Sequence, residues 1–126
     1  MLMDLSTCGW DGGLVRALGV GAAEGALPTI VSCAEEIGRV DGGPLHGAPL
    51  TGMIGDQQAA MVGQRCFGVG EAKITYGTGA FMLVNSGGAP VPSSHGLLST
   101  ALYRFGASAP TQYALEGAVA SCAVGI

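Results

Sequence analysis

The 126-residue sequence predicts an α/β fold, and three stretches carry that prediction. After Asp56, residues Ala59, Val62, Gly63 and Cys66 recur at i, i+3, i+4 and i+7, the spacing of one helix face. Lys73–Tyr76 and Ala80–Val84 are rich in apolar and β-branched residues, as strands are. The glycine turn Gly77-Thr78-Gly79 separates them. The second strand is apolar on both faces, which predicts a central place in its sheet.

The remaining elements follow in order. Trp10, Leu14 and Leu18 recur every four residues, and Gly19 stands where a left-handed cap belongs, so a short helix is expected over about 11–18. Residues 19–26 are a small-residue loop, and Thr29–Ser32 is β-branched enough for a short strand. Asp41-Gly42-Gly43-Pro44 marks a loop, and Ala48–Ile54 reads as a strand entering the sheet interior. The helix after Asp56 is expected to end at Gly68 and Gly70. The change of pattern there predicts a domain junction, with 1–69 before it and 70–126 after it. Beyond a Gly- and Pro-rich loop, Leu97–Arg104 and Gln112–Leu115 read as strands. Glu116-Gly117 is expected to open a helix running to Ile126.

Composition excludes several function classes. The net charge is −4 and the five basic residues are scattered singly, so no nucleic-acid-binding patch is present in the sequence. The uncharged run Gly117–Ile126 is shorter than the roughly 20 apolar residues of a membrane span. The four cysteines form no Cys-x-x-Cys pair and the two histidines lie far apart, so no metal-ligand spacing is found. Such scattered cysteines read as small buried hydrophobes in a reducing, cytoplasmic compartment. With 23 glycines, 11% charged residues and a mean hydropathy of +0.46, part of the apolar surface is expected to meet further protein, as in a fragment.

Two features point to chemistry. Asp56 stands where a strand gives way to a helix, and two readings are open: a helix cap, or a base that accepts a hydroxyl proton during phosphoryl transfer. Gln57 beside it is either solvated or a hydrogen-bonding partner of a polyol hydroxyl. Gly77-Thr78-Gly79 is either a plain hairpin turn or a loop whose backbone N–H groups and threonine hydroxyl meet phosphate oxygens. Neither Gly-x-x-x-x-Gly-Lys-[Ser/Thr] nor a dinucleotide fingerprint is present, so Lys73 is no P-loop lysine. Glu116 either orients a site from a second strand end or is a buried structural glutamate.

Taken together, Gly55-Asp56-Gln57-Gln58-Ala59-Ala60, Ala72–Leu83 with its Tyr76-Gly77-Thr78-Gly79-Ala80-Phe81 core, Gly96–Thr100 and Tyr113–Gly117 resemble the glycerol kinases of the FGGY carbohydrate kinase family in order and spacing. Trp10-Asp11 with Leu14, and Leu27-Pro28 with Gly38, extend the likeness over nearly the whole chain. The resemblance implies part of an actin-like, ribonuclease H-like fold spanning the junction of two domains. It also implies ATP-dependent phosphorylation of glycerol to glycerol 3-phosphate, with ATP and Mg²⁺.

Carried over by position, Asp56 matches the general base on the glycerol hydroxyl, Gln57 a glycerol-binding neighbour, and Phe81 an aromatic against the glycerol carbons. Gly77 and Thr78 match the turn that meets the nucleotide phosphates. Ala123 falls where the family usually has a glycine near the adenine nucleotide. The family's N-terminal Asp-x-Gly-Thr hairpin and its Arg-Glu pair for glycerol have no counterpart, so the chain is expected to be an internal fragment, inactive alone. Implied partners are glycerol and ATP, and the resemblance also allows a homo-oligomer of the full-length parent. The alternatives are an FGGY kinase for another polyol or sugar, and a truncated, non-catalytic binding module.

Overall fold

The computed structural model describes residues 2–122. They form two compact units that divide between Val31 and Ser32.

In the first unit Asp11 caps helix α1 (Gly12–Ala17), its Oδ1 accepting from the Gly13 and Leu14 N–H groups at 2.8 and 3.0 Å. The helix ends as the sequence predicts. Gly19 adopts φ +72°, its N–H donates to the Arg16 carbonyl at 2.9 Å, and the Val20 N–H donates to the Val15 carbonyl at 3.1 Å. This pair of bonds is a Schellman closure, which satisfies two carbonyls that the helix end would otherwise orphan. A 3₁₀ helix, Gly21–Ala26, occupies the expected loop. The indole of Trp10 donates to the Pro28 carbonyl at 2.9 Å.

Thr29–Ser32 forms no strand. The Glu35 carboxylate accepts the Ser32 N–H at 2.8 Å and Ser32 Oγ accepts the Ala34 N–H, so local side-chain bonds occupy groups that a ladder would use.

The second unit begins with a two-residue ribbon, β1 (Gly38–Arg39) against β2 (Pro49–Leu50). The strand expected over Ala48–Ile54 is thus reduced to two exposed residues. Pro49 has no N–H to give a longer ladder, which confines it to an edge. Helix α2 (Asp56–Gly63) follows and ends earlier than Gly68. Arg65 takes the left-handed position (φ 59°), with Arg65 N–H on the Val62 carbonyl and Cys66 N–H on the Met61 carbonyl, both 2.9 Å. A second Schellman closure is made here with arginine where glycine is the usual residue.

Four antiparallel strands complete the unit: β3 (Ala72–Tyr76), β4 (Ala80–Gly87), β5 (Leu98–Tyr103) and β6 (Gln112–Val119), in the spatial order β3-β4-β6-β5. As its two apolar faces predict, β4 is interior. The helix expected after Glu116 does not open there. Gly117, Ala118 and Val119 continue β6, opposite Met82, Phe81 and Ala80. Their small side chains are compatible with a helix, but pairing along β4 overrides that local preference. Residues 123–126 of the expected helix lie outside the described residues.

Alpha2 packs on β3 and β4, and the core gathers Met61, Cys66, Leu83, Leu102, Tyr103 and Ala114. The small face predicted for α2 contributes Cys66 and the partly buried Val62, while Met61 supplies its largest fully buried side chain. Asn85, 1% exposed, ties the helix exit to β4. Its Nδ2 donates to the Cys66 and Phe67 carbonyls at 3.2 and 3.0 Å, and its Oδ1 accepts the Gly87 N–H at 2.9 Å. Its polar atoms are thereby satisfied in a place where unmet ones would be costly.

The four cysteines form no disulfide. Cys66 is buried, as small hydrophobic cysteines are, whereas Cys122 is exposed. Among the described residues, no helix is long and apolar enough to cross a membrane.

Candidate functional site

Alternation along each strand and pairing between strands decide which side chains share a face. Lys73 pairs with Leu83, and Leu83 with Glu116, so these three stand in one row across β3, β4 and β6. The next row on the same face is Thr75, Phe81 and Ala118. Leu83 joins Met61 of α2 in the core, so this is the face that α2 covers.

Asp56 is the first residue of α2, and Gly55 is the N-cap, without a side-chain cap bond. Asp56 thus stands one position inside the cap, where it can still serve the helix start. Its exposed carboxylate accepts the Gln57 N–H at 2.8 Å, at the positive end of the helix dipole, as the capping reading expects of a helix-start aspartate.

Gln57 is held from the sheet. Its Oε1 accepts a hydrogen bond from the Lys73 ammonium, which also donates to Thr75 Oγ1 at 2.7 Å. Lys73 is 7% exposed. Burial lowers its pKa from the ordinary lysine value, while the negative charges of Asp56 and Glu116, and then Cys66, pull it back up. The structure thus brings Asp56, Gln57, Lys73 and Glu116 into one electrostatic group. A cavity of about 320 Å³ lies beside it, lined by Ala60, Gln64, Cys66, Ala72, Lys73 and Thr75 among others.

Phe81 lies on the same face, opposite Thr75, and is 37% exposed, so its ring is part covered and part open. Gly77 and Thr78 form the exposed tip between β3 and β4. The Gly77 N–H is already given to the Gly79 carbonyl at 2.8 Å, and the Thr78 carbonyl accepts the Cys122 N–H at 2.8 Å. The donors left to this turn for an anion therefore exclude the Gly77 N–H. Ala123 lies outside the described residues. Among the described residues, no group of three or more His, Cys, Asp or Glu could hold a metal ion.

Sequence reasoning missed the part played by Lys73. The signal was present: Lys73-Ile74-Thr75 alternates, so a lysine and a threonine share the face of the sheet that the apolar side of a helix must cover. A larger cavity of about 590 Å³ lies on the opposite face, lined by Tyr76, Met82, Leu97, Gly117 and Val119 among others, and contains none of the four charged or polar residues of the group.

The helix on a four-stranded antiparallel sheet, with a carboxylate at the helix start and a glycine turn at the strand end, is a partial domain of the actin-like kinase fold. A crystal structure of Plasmodium falciparum glycerol kinase with ADP superposes on 93% of the chain with a TM-score of 0.88 and 41% identity. That match takes in 24% of the Plasmodium chain.

The proteins this chain resembles are glycerol kinases. It is 55% identical over 120 residues to the glycerol kinase of Rhizorhabdus wittichii and 51% identical over 121 residues to that of Arabidopsis thaliana, covering 95% of the chain in each case. The chain spans 23% of the length of these relatives. No protein-family model matches it.

Proposed function

We propose that the chain supplies one wall of the active site of an ATP-dependent glycerol kinase, which converts glycerol to glycerol 3-phosphate in the cytoplasm. The observation that carries this reading is the pairing of Asp56 and Gln57 at the start of α2 with the charged row of the sheet beneath them. Similarity to glycerol kinases over 95% of the chain supplies the substrate class.

In this reading Asp56 accepts the proton of the attacking glycerol hydroxyl on a carboxylate oxygen as the new phosphorus–oxygen bond forms and the bond from the γ-phosphorus to the departing ADP oxygen breaks. Gln57 binds a glycerol hydroxyl, and the partly exposed ring of Phe81 packs on the carbon backbone. ATP supplies the phosphoryl group, and Mg²⁺, when bound with it, would neutralise phosphate charge. Thr78 at the open tip of the β3–β4 turn faces the nucleotide phosphates with its hydroxyl, the Gly77 N–H being engaged within the turn. The residues present fit the nucleotide through that exposed hydroxyl, whereas Mg²⁺ would be held chiefly by the phosphates rather than by a carboxylate cluster of this segment. The parts before and after residue 70 belong, on this reading, to the first and second kinase domains, and Ala123 lies near the nucleotide. A homo-oligomer of the whole enzyme is compatible with it.

The test is a hybrid in which this segment replaces its counterpart in a full-length glycerol kinase. The hybrid should make ADP in a glycerol-dependent manner, and Asp56→Asn should lower kcat by about 10² to 10⁴. Positioning and charge stabilisation come from both walls of such a site, so the 126-residue chain alone should show no turnover. A hybrid that prefers another polyol or a sugar, or an Asp56→Asn enzyme as fast as its parent, would overturn the assignment.

A further inference from the structure

Resting on the reading of Gln57 as a glycerol-binding residue, we propose that Lys73 is a positioning residue that fixes which end of the Gln57 amide meets the substrate.

An amide side chain offers an acceptor oxygen at one end and a two-donor nitrogen at the other, and the two ends exchange by a half-turn. An ammonium has three donors and no acceptor. The Lys73 ammonium bonds the Gln57 Oε1, so only one of the two amide orientations satisfies the contact. The reverse orientation would set N–H groups against N–H groups in a part-buried contact. With the oxygen held by the sheet, the Nε2 donors are the end left for a ligand.

The lysine is itself held in place. Thr75 Oγ1 takes a second ammonium proton at 2.7 Å, and the carboxylates of Asp56 and Glu116 act on the same charge. At 7% exposure the side chain has little room to sample other rotamers.

The consequence is a directional chain of donors. Lys73 donates to Gln57, Gln57 donates to a hydroxyl oxygen of the polyol, and that hydroxyl is free to direct its own proton to the Asp56 carboxylate. Lys73 touches neither substrate nor phosphate in this scheme, and acts through Gln57.

Two measurements on the full-length hybrid test it. The first is a double-mutant cycle. Lys73→Met should raise the glycerol KM about tenfold, the loss expected for one charge-assisted hydrogen bond. In a Gln57→Ala background the same substitution should change KM less than twofold. Additive effects of the two substitutions would overturn the proposal, since a lysine that only supports the fold acts with or without Gln57. Lys73→Arg, which keeps the charge, should recover part of the lost affinity.

The second is the side-chain amide resonance of Gln57 in protein labelled with ¹⁵N-glutamine. Lys73→Met should move it toward the position of a solvated amide while the methyl signals of Leu102, in the core on the far strand β5, stay in place. An unmoved Gln57 resonance would overturn the proposal whatever the enzyme does. A hybrid that lacks glycerol activity but shows the resonance shift would remove the glycerol-kinase reading and leave the Lys73–Gln57 bond standing.

Discussion

A Cβ on Gly79 would sit 2.9 Å from the Val119 carbonyl oxygen and 3.5 Å from that of Ala120. The β3–β4 turn therefore closes against the end of β6, with the Cys122 N–H bonded to the Thr78 carbonyl on the same side. Glycine is required at 79 by this approach rather than by an unusual φ. The clash is with backbone, which cannot swing away as the end of a flexible side chain does. Gly79→Ala should destabilise the chain by about 1–3 kcal/mol, read from the urea midpoint at constant m. In the hybrid enzyme it should weaken ATP more than glycerol, because it displaces the turn and leaves Asp56 and Gln57 in place. Equal losses for both substrates would count against a phosphate role for the turn.

Arg65 makes the opposite case. It holds φ 59° at the end of α2, where its N–H reaches the Val62 carbonyl, and its exposed side chain makes the strain hard to recover. A left-handed non-glycine residue costs about 1–2 kcal/mol, part of which glycine returns as unfolded-chain entropy. Arg65→Gly should therefore raise stability by roughly 0.5–1 kcal/mol. A fall in the urea midpoint would mean that the arginine side chain makes a compensating contact.

Lys73 gives the chain a pH signature on the alkaline side. Burial lowers its pKa, so the unfolded chain holds this proton more tightly than the folded one. Stability from this group then rises with pH between the lowered folded value and the unfolded value of about 10.5, and its penalty is constant below that window. Comparing urea midpoints of the parent and Lys73→Met from pH 7 to 10.5 isolates the effect from other titrating groups. The gap should shift in favour of the parent as pH rises. A gap independent of pH would show that the pull of Asp56 and Glu116 fully offsets burial.

Much of the architecture was legible in the residues because local rules agreed with the final fold. The Asp11 cap and Gly19 closure of α1, the start of α2, and the β3-turn-β4 unit each follow from a spacing or a glycine within a few positions. The errors share one cause. Thr29–Ser32 has strand-forming residues but no ladder, whereas Gly117–Val119 has small residues of helical appearance and lies in a ladder with β4. Short stretches are decided by their partners, which propensity does not see.

For the site, the sequence by itself determined that a carboxylate and an amide open a helix close before a glycine turn, and that their order resembles the glycerol kinases. It left Asp56 divided between cap and base, and set Lys73 aside as belonging to no phosphate motif. Only the tertiary structure showed where each of the two stands. Alpha2 begins at Asp56 itself, so Gly55 takes the cap position, and the β3–β4–β6 register places Lys73 and Glu116 in one row beneath the helix start. Lys73 and Gln57 are 16 positions apart along the chain, and their contact exists because an antiparallel sheet and the helix packed on it bring them together.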